Sequence, residues 1–311
     1  MKFADKMSLD RLCVMAGAGL AVATLLGFLG RFFWVFDLFS HFRVQLFQAA
    51  LVLIGIAIWK RKNKQLIAFA LLACLNYAFV LPFYFGKSPA ATEQPARAML
   101  MNVLASNSNT EQVLAAIEAA DPDLLVLEEV TPEWAAKLVE LNYPHRIADV
   151  RDDCFGIMLL SKHPLSNTNA VYVGTADVPT ITANVHLPQG EIFLIGTHPV
   201  PPVSAAYSRH RNSQLVALAT LVEKQKKPVL LIGDLNTSPW SAHFARLLKE
   251  SGLQNSMKHF GFQPSWPANN RLLRIPIDQM LHSPEILIHN RAIGGDVGSD
   301  HLPVIVDFSV Q

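Results

Sequence analysis

Polar residues recur beside short apolar runs in the second half of the sequence, at spacings that suit chemistry. The residues in question are Asn102, Glu128-Glu129, Thr197-His198, Asp234 with Asn236, Asp278, and Ser299-Asp300-His301. Polar groups at the ends of buried strands cost stability unless they have partners. We therefore expect these side chains to meet at one edge of a sheet-rich domain, as an acidic cluster that contains histidine. Carboxylate and amide oxygens are ligands that suit Mg²⁺ or Mn²⁺.

Such a cluster is suited to the hydrolysis of phosphate esters. In-line attack on a phosphodiester spreads negative charge over the phosphoryl oxygens, which a cation and positively charged donors stabilise. A carboxylate can position and activate the attacking water, and a histidine held by a second carboxylate stays protonated. Each short motif alone is also typical of a turn or a helix cap. Their order along the chain, beside matching strands, is what favours a catalytic site.

The ordered motifs resemble those of the endonuclease/exonuclease/phosphatase superfamily, which includes deoxyribonuclease I-like nucleases, inositol-polyphosphate phosphatases and neutral sphingomyelinases. The motifs that carry the resemblance are Asn102-Val103, Leu127-Glu128-Glu129, Thr197-His198, Gly233-Asp234-Leu235-Asn236, Ile277-Asp278 and Ser299-Asp300-His301-Leu302-Pro303. They cover essentially all of residues 97–311. The resemblance implies an α+β fold, a four-layer αββα sandwich in which two packed mixed β-sheets are flanked by helices.

The resemblance also implies catalytic roles, residue by residue. Asp234 matches the residue that orients or deprotonates the attacking water, and Asn236 matches its partner. His301 resembles the histidine that contacts the scissile phosphate, with Asp278 as the carboxylate that orients it. His198 resembles the second histidine of the deoxyribonuclease-like branch.

The metal and phosphate ligands follow from the same resemblance. Glu129, Asp300 and Asn102 match residues at the Mg²⁺ or Mn²⁺ site, and Asn102 also lies beside the phosphate. Glu128 stands where the family commonly has Gln, so either Glu128 or Glu129 is the metal-binding glutamate. No cofactor other than a metal is implied.

Two arginines after the His198 motif are further candidates for binding a substrate phosphate. Arg209 and Arg211 lie near the start of a predicted long helix. An arginine at a helix start is also ordinary surface. Of the two, we prefer Arg209.

The elements that must position these residues are short strands alternating with amphipathic helices. The predicted strands are 98–104, 123–130, 155–160, 171–173, 181–186, 192–197, 229–232, 275–281 and 303–308. Predicted helices cover 109–120, 208–226 and 238–252, the first opened by a capping box and the last by Ser238-Pro239. No internal repeat is present.

The first 86 residues have a different composition and predict a membrane anchor. Uncharged runs cover Leu12–Gly30, Val44–Trp59 and Gln65–Gly86, which are 19, 16 and 22 positions long. A bilayer core needs about 20 apolar residues in a helix, so the middle run is short. We predict about three transmembrane helices in residues 1–86, a linker at 87–98 and a catalytic domain at 99–311.

Charge predicts the orientation of this anchor. Lys60, Arg61, Lys62 and Lys64 form a basic loop, and the N-terminus adds Lys2, Lys6 and Arg11. Under the positive-inside rule, three spans place everything after Gly86 outside the cytoplasm. We therefore expect an integral protein of the inner or plasma membrane, in contact with the bilayer through residues 12–86, with a periplasmic or extracytoplasmic catalytic domain.

The charge of the catalytic region bears on the substrate. Residues 97–311 carry 16 Lys and Arg against 21 Asp and Glu, a balance of −5, which does not favour duplex DNA. The predicted function is a membrane-anchored, nuclease-like phosphodiester hydrolase acting on a nucleic acid, a nucleotide or a phospholipid headgroup. The alternatives are a lipid-directed phosphodiesterase of the sphingomyelinase type, a phosphomonoesterase, and an inactive membrane adaptor. No protein partner is implied.

Overall fold

The structure is a computed structural model that describes residues 8–86 and 94–311. It falls into two compact units. The N-terminal unit is Met1–Pro82 with Trp240–Ala242, and the C-terminal unit is Phe83–Pro239 with His243–Gln311. Two predictions lie outside the described residues: the contribution of Lys2 and Lys6 to orientation, and most of the predicted linker.

The N-terminal unit is helical. Its helices are α1 (Leu9–Phe28), α2 (Trp34–Ser40), α3 (Arg43–Trp59) and α4 (Asn63–Tyr77). Within the described residues, only α1 is by itself long and apolar enough to cross a membrane, and α2 with α3 qualifies if this pair, bent by 63°, is one span. Helix α4 has 15 residues, about 22 Å, which is short of a hydrocarbon core of about 30 Å. By length and composition, one helix or, with the bent pair, two helices of the described chain therefore qualify as spans, and the third span over residues 65–86 stays a prediction.

A buried polar network joins three helices of this unit. Arg43, the first residue of α3, is buried and donates to the Thr24 carbonyl oxygen at 3.3 Å and to Asn76 Oδ1 at 3.2 Å. Asn76 Nδ2 in turn donates to Thr24 Oγ1 at 2.9 Å. The guanidinium also lies over the rings of Phe28 and Phe79, at 4.4 and 4.8 Å from their centroids. The positive charge thus has hydrogen-bond acceptors and two aromatic faces, which offset the cost of burial.

The rest of the chain forms two six-stranded sheets and four helices. The strands are β1 (Ala96–Asn102), β2 (Leu124–Glu128), β3 (His145–Asp149), β4 (Ile157–Ser161), β5 (Leu165–Tyr172), β6 (Pro179–Leu187), β7 (Gly190–Thr197), β8 (Val229–Asp234), β9 (Gln254–Asn255), β10 (Asp278–His282), β11 (Ile286–Ile293) and β12 (Val304–Val310). The helices are α5 (Thr110–Ala120), α6 (Pro132–Leu138), α7 (Ala205–Glu223) and α8 (Ala242–Ser251). The first sheet has the order β11-β12-β1-β2-β4-β3 and the second β5-β6-β7-β8-β10-β9.

Each sheet is mixed, because β1–β2 and β7–β8 pair in parallel and the other pairs are antiparallel. Successive side chains of a strand point to opposite faces, and β8 shows this clearly. Leu230 and Ile232 belong to the core between the sheets, whereas Val229 and Leu231 pack with α7 and α8. Helices α5 and α6 cover the first sheet in the same way, through residues such as Ile117 and Trp134. These layers confirm the predicted αββα sandwich.

Several element boundaries differ from the prediction. Strand β1 begins at Ala96, so residues 96–98 of the predicted linker belong to the first sheet. Helix α8 begins at Ala242 and leaves Ser238-Pro239 in the preceding loop. Asn109 occupies the N-cap of α5 but its side chain makes no capping hydrogen bond. Strand β3 was missed because it is a polar edge strand, and β11 because a register irregularity near Asn290 interrupts its alternation.

Candidate active site

Strand pairing brings the predicted site residues together in pairs. Asp234 is the last residue of β8 and lies directly opposite Asp278, the first residue of β10. Asn102 ends β1 beside Glu128, which ends β2. Directly opposite residues of an antiparallel pair have Cβ atoms about 5 Å apart, so the β8–β10 register brings the two aspartates side by side at the sheet end.

The Asp234 carboxylate lies between two histidines. Its Oδ2 atom is 3.7 Å from Nε2 of His198 and 3.7 Å from Nε2 of His301. On its far side the His301 ring is held by Asp278, whose two oxygens lie 3.0 and 3.1 Å from Nδ1. All four residues are at most 5% exposed. The predicted catalytic residues Asp234, Asp278, His198 and His301 therefore form one buried cluster.

The two histidines differ in basicity. Burial alone would lower the pKa of His301, but the negative charge and hydrogen bond of Asp278, with Asp234 and Asp300 nearby, raise it to about 10. Burial and the neighbouring His301 lower the pKa of His198 to about 3. At neutral pH, His301 is therefore an imidazolium and His198 a neutral ring. His198 Nδ1 is buried and has no hydrogen-bond partner among the described residues.

The protonation of Asp234 is poised near neutrality. Burial raises the pKa of this carboxyl, His301 opposes the shift and Asp278 adds to it, so that the pKa is about 7. A carboxylate with a pKa near the working pH is suited to take a proton from water. Asp278 behaves differently, because the charge and hydrogen bond of His301 outweigh its burial and lower its pKa.

Glu128 and Glu129 point in different directions. Glu128 is fully buried, and its two oxygens accept the Asp234 backbone N–H at 3.0 and 3.2 Å. Burial, with Asp234 and Asp278 nearby, raises the pKa of Glu128 well above the usual value. A side chain on Gly233 would place its Cβ within 2.9 Å of Glu128 Oε1 and 1.8 Å of the Thr197 carbonyl oxygen, so only glycine fits there.

Oxygen atoms suited to a divalent cation lie around Glu129 and Asp300. Glu129 has a left-handed backbone (φ 61°), and its oxygens accept the Asn102 Nδ2 and Ala105 backbone N–H groups, both at 3.0 Å. Asp300 Oδ2 accepts the Trp266 indole N–H at 3.0 Å. Asp300 Oδ1 is buried without a hydrogen-bond partner in the described chain, which is costly unless a cation or water satisfies it. Carboxylate oxygens of this kind suit Mg²⁺ or Mn²⁺. A metal site formed by Glu129, Asp300 and Asn102 stays a prediction.

A second group of possible ligands is Asp234, Asp278 and His301, whose ligand atoms lie within 4.8 Å of one another. We favour the predicted ligands Glu129, Asp300 and Asn102 as the metal site. His301 Nδ1 already faces Asp278, and an imidazolium has no lone pair for a metal.

Comparison with known proteins identifies the family. The profile of the Endonuclease/Exonuclease/phosphatase family matches residues 99–301. The chain belongs to this family. No curated protein matches the sequence.

Solved structures show the same family fold. D. rerio TDP2 complexed with a single-strand DNA product has a TM-score of 0.61 at 17% identity, over 70% of this chain and 100% of that one. The human Nocturnin catalytic domain with bound sulfate has a TM-score of 0.58 at 20% identity, over 70% and 95%. A family member from Beutenbergia cavernae has a TM-score of 0.55 at 20% identity, over 70% and 72%.

In this member of the family, Asn236 links the loop after β8, which follows Asp234, to the loop after β7, which carries His198. Its backbone is left-handed (φ 49°), its N–H donates to Asp234 Oδ1 at 2.7 Å, and its Nδ2 donates to the Pro199 carbonyl oxygen at 2.9 Å. Arg211 Nη1 donates to the Asn236 carbonyl oxygen at 2.8 Å. Arg211 is fully buried, whereas Arg209, the preferred sequence candidate, is exposed.

Helix α7 also makes a hydrogen bond to the loop after β7, which carries His198. Gln214 is buried and its Oε1 accepts the Val200 backbone N–H at 3.1 Å, two residues after His198. Helical periodicity could have identified Arg211, because it lies in phase with the buried Leu215 and Leu218. Arg209 is out of phase with that stripe. Trp266, the partner of Asp300, carried no motif signal.

Proposed function

We propose that this chain is a membrane-anchored, metal-dependent phosphodiester hydrolase, nuclease-like in its reaction. The observation that carries the proposal is the Asp234 carboxylate between two histidines, with Asp278 behind His301. It provides a base and an acid within one buried cluster. Membership in a family of phosphoric ester hydrolases supports the same reaction.

Each site residue has its own role in the in-line attack of water on the phosphate. Asp234, with its pKa near 7, takes a proton from the attacking water, and Asn236 fixes the carboxylate through its backbone N–H. The His301 imidazolium donates to a phosphoryl oxygen or to the leaving oxygen, where negative charge develops. Asn102 lies beside the phosphate position, and Arg209 remains a candidate phosphate contact. A divalent cation held by Glu129, Asp300 and Asn102 would neutralise charge on the phosphoryl oxygens.

The proposed location is an inner or plasma membrane, with the hydrolase outside the cytoplasm. Helix α1 is apolar enough to span, and the basic residues Lys60–Lys64 favour the cytoplasmic side. The placement outside also requires residues 65–86, which follow this basic loop and include most of α4, to cross the membrane as the third predicted span. A periplasmic reporter enzyme fused after Gly86 is expected to be active. A reporter that is active only when cytoplasmic would reverse the orientation.

The activity is tested with the purified full-length protein. Mg²⁺ or Mn²⁺ is added after chelation, and DNA, RNA, simple phosphodiesters, a phosphomonoester and phospholipids are offered in parallel. We expect metal-dependent release from a diester that Asp234→Asn abolishes, while Glu250→Gln, an exposed change on α8, has no effect. Turnover of the monoester alone would replace the proposal with a phosphomonoesterase, and none on any substrate would favour an inactive adaptor.

A second candidate is a lipid-directed phosphodiesterase. One observation favours it. A cavity lies beside His198, and its walls include the rings of Phe155 and Tyr207 and the carboxylates of Asp153 and Asp177, with one arginine, Arg151. Aromatic rings with a surplus of carboxylates suit a cationic headgroup better than a polyanionic strand.

A further inference from the structure

We propose that the cavity beside His198 is a substrate subsite for an organic cation, so that the substrate is a phosphodiester with a short arm ending in a quaternary ammonium group. Phe155, Tyr207 and Asp177 are the residues that would recognise the cation. This inference rests on the proposed phosphodiester hydrolysis and names its substrate class.

The cavity has a suitable size and adjoins the catalytic cluster. Its volume is about 270 Å³, and its lining includes Phe155, Thr175, Asp177, Val200, Tyr207 and His210. The Phe155 ring lies against the His198 ring, with centroids 5.5 Å apart. A substrate phosphate at His198 and Asp234 would therefore direct a short ester arm into this cavity.

The walls of the cavity are held by hydrogen bonds. Asp153 Oδ1 accepts the Phe155 backbone N–H at 2.9 Å, which fixes the start of the aromatic wall. Thr175 Oγ1 lies 2.9 Å from His210 Nδ1 and joins the loop after β5 to helix α7. A preformed wall reduces the entropy lost on binding a ligand.

The charge of the cavity is negative where a ligand would meet it. Arg151, which also lines the cavity, is paired with Asp153 through contacts of 2.8, 3.0 and 3.1 Å. The Asp177 carboxylate accepts no hydrogen bond from the described residues and leaves a surplus negative charge. A carboxylate beside aromatic faces is the combination that binds quaternary ammonium ions.

The same charges oppose a nucleic-acid strand on this side of the site. The segment 149–153 carries three carboxylates and one arginine, and Asp177 adds a further carboxylate to the cavity wall. Phosphate contacts dominate the affinity of proteins for nucleic acids, and carboxylates repel them. A zwitterionic arm, positive at its end, meets complementary charge instead.

The test uses the full-length protein in detergent and two soluble esters of the same shape. One is 4-nitrophenyl phosphorylcholine, and the other is 4-nitrophenyl 3,3-dimethylbutyl phosphate, which replaces the ammonium nitrogen with carbon. We expect about a tenfold preference in kcat/KM for the choline ester, in the range of a cation–π contact with a nearby carboxylate. Asp177→Asn and Phe155→Leu should each reduce this preference several-fold, while Glu118→Gln, an exposed charge removal on α5, leaves it unchanged.

The outcomes separate this inference from the proposed function. Equal turnover of the two esters, or a preference for thymidine 5′-(4-nitrophenyl) phosphate, would overturn the cation subsite and leave the hydrolase intact. Calorimetric titration with phosphocholine supplies a measurement that does not depend on turnover. Binding that Asp177→Asn weakens supports the subsite even if no ester is cleaved, and absence of binding overturns it. Circular dichroism and melting temperature confirm that each variant is folded.

Discussion

The two histidine corners of the site, one at His198 and one at His301, are alike in position but differ in charge, because only His301 is protonated at neutral pH. His198 and His301 each lie 3.7 Å from the same Asp234 oxygen, and both are nearly inaccessible. Yet the pKa of His198 falls to about 3 and that of His301 rises to about 10. The difference comes from the other ring nitrogen, which faces Asp278 in His301 and has no partner in His198 within the described chain. Burial decides the first case and a carboxylate the second.

The corners are also held in different ways. The His301 corner is fixed by two side chains. Asp278 at the start of β10 holds the ring, and Ser299 in the loop before β12 accepts the His301 backbone N–H through its Oγ at 3.1 Å. The His198 corner is fixed by α7, through Arg211 and Gln214 on the loop backbones. One corner is therefore tuned electrostatically and the other is positioned by backbone contacts.

Removing the carboxylate that both corners share has the largest expected effect. Asp234→Asn keeps the shape but cannot accept a proton, so turnover should fall at least about 10²-fold. The measurement is kcat on the preferred diester at fixed metal concentration. Near-normal turnover in the folded variant would remove Asp234 from the mechanism.

The next largest effect is expected from removing the His301 imidazolium or the carboxylate that holds it. His301→Ala should also lose at least about 10²-fold, since the acid is removed. In the native enzyme, activity that needs the imidazolium falls only as pH rises through about 10. Asp278→Asn removes the charge that raises this pKa, so the alkaline fall should move to lower pH. The pH profile of kcat/KM tests this, and an unchanged alkaline limb would show that Asp278 does not set the basicity of His301.

The His198 corner should respond less. The ring is neutral above about pH 3, so His198→Ala removes a hydrogen-bonding group and no charge. We expect a loss of about tenfold in kcat, which is less than the loss expected from removing a general acid or base. The fall of kcat/KM at alkaline pH should occur at the same pH as in the native enzyme. A loss as large as that of His301→Ala, with a shifted limb, would contradict the assignment of a neutral His198.

Removing the arginine that supports the His198 corner should lower turnover by less than the changes above. Arg211→Met keeps the volume but removes the donor to the Asn236 carbonyl oxygen, so we expect a few-fold lower kcat with little change in KM and a lower melting temperature. Arg211→Lys should recover part of the loss. The matched control is Arg209→Met, which removes an exposed arginine of the same helix. A larger loss from Arg209→Met would instead support the sequence preference for Arg209 as a phosphate ligand.

Much of the sandwich was predictable because several strands, such as β2, β4 and β8, are apolar runs that end in polar residues. Asp234 and Asp278 could both be placed at strand ends from sequence, but their direct opposition depends on a register that local sequence does not encode. Arg209 was preferred to Arg211 from sequence. The burial of Arg211 depends on tertiary contact with the Asn236 loop, which local sequence does not show. Nothing in the sequence indicated that α4 ends at Tyr77, before the apolar run ends at Gly86, because the run contains no helix-breaking residue at that point.

The smallest effect on activity is expected at Glu128. Its carboxyl is held largely protonated by burial and by Asp234 and Asp278, so the amide of Glu128→Gln should preserve turnover. Stability should respond to pH, because the folded pKa is raised above the usual 4.5. Below that value the native carboxyl carries no penalty. As pH rises above it, the unfolded chain releases a proton that the folded chain retains, and native stability falls until the folded pKa is reached. Glutamine does not titrate, so the melting temperature of Glu128→Gln should gain on the native protein as pH rises above the usual carboxyl pKa of 4.5. A constant difference above that pH would mean that Glu128 is ionised in the folded state, and the acid would then be available to a metal.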